Sequence, residues 1–342
     1  MKILFGSHMT VSLSGEGSGL RNLIMKSKQS LEALGHQVAL FDPWVPAALQ
    51  QYDLLHLFSA TMATFALARA TKAAGIKLVV SPFLDKTIPA TLVHIANSMI
   101  CRLPRVHTHL AAAKTICDMA DLVVAWSDVE QNYLAHALGT AREKIVIVPY
   151  GLDPPTQADP ALFVERYRVS KFVLTVGNLG NARKNYLRLI RAAGPLGIPV
   201  FFIGPIPDNE YARACVRAAR KYESIHLLGF VSREMLLSAY AAADTYIQPS
   251  TTEGVGIAAL EAALYGAKMV ITKNGAPAYY FGELAEYVAP RSEQSIREKL
   301  LVTVGKPKNA ALREHLLANF LWEKMSHKVI EAYKMALSGR ST

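Results

Sequence analysis

Cysteine is scarce in this chain: three residues, Cys101, Cys117 and Cys215, among 342. Their wide separation gives neither a disulfide framework nor a Cys-based metal pattern. Long apolar runs are missing too. Hydrophobic residues make up 51% of the chain, yet every uninterrupted run falls well short of the ~20 residues that a membrane-spanning helix needs. Behind the strand-like residues 1–5 there is no apolar leader segment, so a cytoplasmic protein is expected. No basic repeat with interleaved aromatics and no reader helix is present, which argues against nucleic acid as a partner. The dinucleotide fingerprint Gly-x-Gly-x-x-Gly directly after a strand is also absent. Gly15, Gly17 and Gly19 have a different spacing and begin ten residues past Phe5.

What the chain does have is length for two domains, at a typical ~150 residues each. It also carries a formal charge of +10. The first 150 residues contribute +3 and the remainder +7, a surplus that favours anionic partners such as phosphates or acidic lipid. Strand-like and helix-like segments alternate twice over. In the first half, strands read at 2–5, 37–41, 54–58, 77–80, 122–126 and 145–149. Leu20, Leu23, Ile24, Ser27, Leu31 and Leu34 recur at helical spacing, predicting an amphipathic helix over 20–34 that Gly35 ends. Residues 153–160 are proline-rich and polar and read as a linker. The pattern then restarts, with strands at 172–176, 200–203, 225–228, 245–248 and 269–272. Alternation of this kind predicts parallel sheets covered on both faces. The expected fold is α/β, with two doubly wound Rossmann-like domains facing across a cleft and ligand at the carboxyl ends of the strands.

The segment richest in chemistry runs from Glu253 through Gly254, Val255, Gly256 and Ile257 to Glu261, immediately behind the apolar run 245–249. A strand ends, a glycine-spaced turn follows, and a helix begins with a carboxylate on either side. Glycines let backbone N–H groups approach a ligand, and a helix N-terminus suits phosphate. Two carboxylates beside a phosphate would be repelled unless they face hydroxyls, so a nucleotide-sugar fits both features. Glu253 and Glu261, eight residues apart, resemble the paired-glutamate motif of retaining GT-B glycosyltransferases, a large family that includes bacterial surface-polysaccharide enzymes. Residues 120–127 and 144–153 resemble the end of that family's first domain. Gly177 with Asn178, then Arg183, Lys184 and Asn185, resemble the opening of its second. Residues 228–231, 243–244 and 248–250 fill the places between, and the last helix, with Trp322 and Tyr333, resembles the one that crosses back onto the first domain. The likeness implies a first domain of 1–155 plus the crossing helix 320–338, and a nucleotide-sugar-binding domain of 165–318.

By resemblance, Lys184 binds the donor diphosphate, with Arg183 supplying the charge of the arginine that Asn178 replaces. Gly177, Val255, Gly256 and Ile257 bring backbone to the donor, Glu261 holds the ribose hydroxyls, and Glu253 touches the transferred sugar. A fixed ammonium stabilises a leaving diphosphate most in the transition state. The same cations, with Arg188 and Arg191, would otherwise form a solvated helix face; Glu253 could simply cap a helix and Glu261 lie on the surface. In the first domain, Gly17 belongs to a loop that approaches the donor, and Arg21 faces either solvent or an anionic acceptor. Phe83 stands where many relatives carry a catalytic histidine. Asp85 is its nearest polar neighbour, and His8, His94, His107 and His109 are open substitutes. No Asp-x-Asp occurs, in keeping with the metal independence typical of the GT-B fold, and no cofactor is expected. The reading is a retaining hexosyltransferase that moves a sugar from a UDP- or GDP-linked donor to a saccharide or lipid-linked saccharide, acting peripherally at the inner membrane face. A GT-B sugar-nucleotide epimerase, a non-catalytic partner subunit and, more remotely, a dehydrogenase are the alternatives.

Overall fold

A computed structural model describes the chain except residues 12, 14–18, 46–47, 85–87, 101–107 and 340–342, and the side chains of 99 and 100. Gly17, Asp85 and His107 therefore lie outside the described residues. The chain divides into two compact units: Met1–Gly151 with Trp322–Thr342, and Leu152–Leu321.

The first unit holds six parallel strands, β1 (Lys2–Ser7), β2 (Gln37–Leu40), β3 (Leu54–Phe58), β4 (Lys77–Ser81), β5 (Leu122–Ala125) and β6 (Ile145–Ile147). Their order is β2-β1-β3-β4-β5-β6. The central strands are apolar because helices cover both faces; all five residues of β3 are buried, as a parallel sheet requires. The helix expected at 20–34 spans Gly19–Ala33, with Gly35 at φ +82° closing it. The last helix, Trp322–Ser338, packs onto this sheet from across the sequence. Its Tyr333 hydroxyl lies 2.7 Å from His56 Nδ1, and His56 Nε2 lies 2.9 Å from the Ser81 hydroxyl.

The second unit repeats the plan with β7 (Val173–Val176), β8 (Val200–Ile203), β9 (Ile225–Gly229), β10 (Thr245–Gln248), β11 (Lys268–Thr272) and β12 (Glu286–Val288). The order is β12-β11-β10-β7-β8-β9. The three-residue β12 has no counterpart in the sequence reading, because Glu-Tyr-Val before Ala-Pro is too short to show a period. The proline-rich stretch is irregular only as far as Asp159. Pro160 opens the helix Pro160–Tyr167, and the Asp159 carboxylate accepts from Ala161 N–H at 2.9 Å, a capped start with proline where no N–H is needed.

In the second sheet the chain runs outward from β7 through β8 and β9, then returns to β7's other side with β10. Loops leaving the carboxyl ends of β7 and β10 therefore diverge to opposite faces and leave a crevice between them. That switch point is where ligands of doubly wound sheets bind.

Candidate active site

Two loops meet at the β7/β10 switch point. After β7 the chain turns through Gly177 and reaches a short 3-10 turn, Ala182–Lys184. After β10 it runs through Pro249 and Ser250 to Glu253, then into the helix Ile257–Leu264. Glu253 joins them. One carboxylate oxygen accepts from Lys184 Nζ at 3.1 Å, Gln248 Nε2 at 2.5 Å and Ser250 Oγ at 2.8 Å. The other lies 3.4 Å from an Arg183 guanidinium nitrogen, which also donates to the Thr252 carbonyl at 2.9 Å. The Glu253 side chain is only 6% exposed and that of Lys184 15%, whereas Arg183 is 36% exposed.

This arrangement decides the charge state. Burial alone would raise the Glu253 pKa, but Lys184, then Arg183, and the Ser250 hydroxyl together hold it below the usual carboxylate value. Glu253 is thus an anion that keeps two cations at the strand ends. Its carboxylate does not cap the following helix, whose first position is set by Gly256 in the left-handed region at φ +81°.

The cations are placed by a residue that the sequence named only as part of the resemblance, without a role. Asn185, at φ +63°, donates from its amide to the carbonyls of Pro249 (2.9 Å) and Pro290 (2.6 Å). It thereby ties the Lys184 turn to the end of β10. Arg188 is fixed as well, donating to Asn185 Oδ1 at 3.0 Å and Pro290 O at 3.1 Å. Arg183 and Lys184 precede the helix Tyr186–Ala193 rather than lying on it, and of the four cations only Arg191 is exposed. A solvated helix face is therefore not what they form.

Glycine is required at two points. Gly177 has φ +154°, and a Cβ there would sit 2.5 Å from the Tyr186 hydroxyl. Gly275, unmarked by the sequence reading, faces Glu253 across an isolated bridge. A Cβ on it would lie 1.8 Å from the Glu253 carbonyl oxygen. Gly275→Ala should therefore displace the Glu253 loop; the expected result is a lowered melting temperature in a thermal-shift measurement, and an unchanged melting temperature would mean that the Glu253 loop does not need this approach.

Val255 is buried and Ile257 half-buried at the mouth of the helix Ile257–Leu264. The Ala259 N–H already bonds the Gly256 carbonyl at 2.9 Å, and the N–H groups before it, at the helix N-terminus, suit an anion. One turn in, Glu261 is 31% exposed. It accepts from the Tyr240 hydroxyl at 3.0 Å and lies 3.5 Å from Arg233. Burial, and then the Glu261 charge, push the Tyr240 phenol well up, so it stays a donor that orients the carboxylate. Glu261 is thus held, not a free surface residue. Lys184, Arg183, Glu253, Gly177, Val255, Gly256, Ile257 and Glu261 all belong to this one end of the second sheet. Gln248 and Ser250 join them; the sequence marked both only as part of the resemblance at 248–250, with no role for either. Among the described residues, no group of three or more His, Cys, Asp or Glu could hold a metal ion.

In the first unit, Phe83 follows β4 in the left-handed region at φ +53°. Its ring packs edge-on against Trp126, centroids 4.2 Å apart. His8 shares a hydrogen bond with the Thr10 hydroxyl at 2.6 Å, and His94 and His109 are exposed. Among the described residues the buried histidine is His56, which the sequence reading did not single out.

The family model "Glycosyl transferases group 1" matches residues 164–319, and "Glycosyl transferase 4-like domain" matches 27–151. The chain belongs to the GT-B, family 4-like glycosyltransferases. It is 29% identical over 185 residues to D-rhamnosyltransferase WbpZ of Pseudomonas aeruginosa, covering 51% of this chain and 45% of that one. To O-antigen chain mannosyltransferase B of Escherichia coli it is 23% identical over 238 residues, covering 64% and 61%. The chain thus spans less than two thirds of the length of the curated relatives it matches. Among solved structures, Anabaena HepE in complex with UDP and glucose superposes with a TM-score of 0.70 at 18% identity, covering 98% of this chain and 99% of that one. The GT-B fold, two Rossmann-like α/β domains, follows from these likenesses and from the two parallel six-stranded sheets.

Proposed function

We propose that this GT-B protein transfers a hexose, with retention of anomeric configuration, from a UDP- or GDP-linked donor to a saccharide or lipid-linked saccharide of a surface polysaccharide. The observation that carries this reading is the pairing of Lys184 and Arg183 with buried Glu253 beside a helix N-terminus, all at the switch point. Family relatives named for rhamnose and O-antigen mannose transfer support the sugar chemistry and the polysaccharide setting.

In this reading the donor diphosphate enters between the Lys184 turn and the N–H groups of Val255, Gly256 and Ile257. It takes over the cations that Glu253 keeps in place, and Glu253 itself meets the transferred sugar. Glu261, oriented by Tyr240, accepts from the ribose hydroxyls. The bond between the anomeric carbon and the phosphate oxygen breaks with its electron pair going to the diphosphate. The acceptor hydroxyl oxygen bonds to that carbon from the same face, and its proton passes to the departing phosphate oxygen. Lys184 and Arg183 bear the charge that develops, so the step needs no metal in this scheme. Glu253 and Glu261 are not an acid/base pair, because one serves the cations and the other a remote hydroxyl.

A panel of UDP- and GDP-sugars tests the proposal. At least one should raise the melting temperature, since a ligand of the native state stabilises it in proportion to affinity. With that donor and a saccharide acceptor, proton NMR of the product should show the donor's anomeric configuration; an inverted product would sink the mechanism, and an epimerised donor the activity.

A further inference from the structure

Two polar side chains lie deep in the second sheet, in a central parallel strand whose buried positions are ordinarily apolar. Tyr246 and Gln248 alternate with Ile247 on β10, so they share one face of the strand. Both are 0% exposed. Buried polar groups are costly unless each finds a partner. Here they find each other. The Tyr246 hydroxyl lies 2.8 Å from Gln248 Oε1, and Gln248 Nε2 lies 2.5 Å from the Glu253 carboxylate oxygen that also meets Lys184.

Chemistry fixes the direction of this chain of bonds. Glu253 is ionised, and a carboxylate only accepts. Gln248 must therefore turn its NH2 toward Glu253, which leaves its carbonyl oxygen facing Tyr246. That oxygen also only accepts, so the phenol must donate. Burial, and then the neighbouring Tyr186, push the Tyr246 pKa well up, which keeps the proton on the hydroxyl. The hydroxyl oxygen in turn accepts from the Val176 N–H at 3.3 Å.

The place of Tyr246 in the sheet gives the hydroxyl its task. β10 pairs with β7 at Thr245 with Val173 and at Tyr246 with Leu174; beyond them the two strands part to form the switch point. Val176 stands past the last pair and directly before the Gly177 turn. The hydroxyl spans the gap that the ladder leaves, from the end of β7 to the amide that meets Glu253.

We infer that Tyr246 is a positioning residue: acting through Gln248, it holds the Glu253 carboxylate where that group meets Lys184. This deepens the proposed transfer reaction and rests on it. Tyr246 is fully buried, so it does this without touching donor or acceptor.

Tyr246→Phe removes one hydroxyl and keeps the ring. It should lower kcat for transfer by about tenfold, the weight of one hydrogen bond, and leave the donor KM within about twofold. Gln248→Met, of similar length and without the amide, should lower kcat at least as far. The double variant should match Gln248→Met within about twofold, because Tyr246 then has nothing left to act through. A purely structural tyrosine would multiply the two losses, or lower the melting temperature with kcat unchanged; either result overturns the inference. A second measurement needs no donor. In denaturant melts at neutral pH, Tyr246→Phe and Glu253→Gln should be non-additive in the wild-type background and additive once Gln248 is replaced by methionine. Additivity with Gln248 in place would overturn the inference whatever the activity. Coupling without transfer from any UDP- or GDP-sugar would remove the proposed activity and leave the link from Tyr246 to Glu253 standing.

Discussion

Replacing Lys184 by alanine should lower kcat for sugar transfer by about a hundred- to a thousandfold, the usual effect of removing one electrostatic contact to a developing charge. KM for the donor should rise much less, because the ammonium matters most once the diphosphate is leaving. The fold should survive. Glu253 would keep Gln248, Ser250 and Arg183 as partners. Glu253→Ala is a different case. From the sequence alone it is expected to abolish transfer and leave the fold intact, like the lysine variant. The structure corrects the second half of that expectation. Removing a carboxylate that is 6% exposed leaves Lys184, at 15%, without its counter-charge, and breaking a buried pair by one partner costs about 3–5 kcal/mol. Glu253→Gln is the cleaner probe: it retains the shape and much of the hydrogen bonding but not the charge. Transfer by Glu253→Gln should fall with that of Lys184→Ala, measured as kcat with the donor found by thermal shift. Near-normal turnover in either variant would remove these residues from the chemistry.

The second large effect concerns pH. Burial lowers the His56 pKa from 6.5 to about 3, so the imidazole is neutral in the fold, sharing one hydrogen bond with Tyr333 and one with Ser81. Between these two values the unfolded chain binds a proton that the native state refuses. Stability that is fully present above pH 6.5 is therefore lost as the pH falls toward 3, by about 1.4 kcal/mol per pH unit. Between about pH 6.5 and 4.5 the loss reaches roughly 3 kcal/mol from this residue. Glu253 has a depressed carboxylate pKa and adds its own loss only below its unfolded value of 4.5. Denaturant melts of wild type and His56→Gln at stepped pH separate the two. The variant should be less stable at neutral pH and show a flatter decline between pH 6.5 and 4.5; parallel curves would refute a buried neutral His56.

Much of the fold was legible because its signals are local. Parallel strands buried on both faces read as short apolar runs, and β3, β8 and β10 lie where those runs lie. The paired glutamates and Lys184 were picked out by their resemblance to a family motif, and the structure places all three at the carboxyl end of the second sheet. Gln248 and Ser250 were noted as part of the resemblance but given no role, because nothing in a strand-end Gln-Pro-Ser says that both side chains turn onto the same oxygen. Gly275 could not be recognised at all. Its need arises from a Glu253 carbonyl twenty-two positions earlier in the chain.

By itself, then, the sequence determined the two alternating α/β halves and the residue types at the second sheet's carboxyl end. Periodicity and motif spacing are properties of neighbours along the chain, so they survive without coordinates. Tertiary structure alone decided that Glu253 is a buried anion shared by Lys184 and Arg183, that Asn185 locks their turn, and that His56 meets Tyr333. Those outcomes depend on desolvation and on atoms brought within about 3 Å across long stretches of sequence, where charge state and hydrogen bonding are set by surroundings and not by residue type.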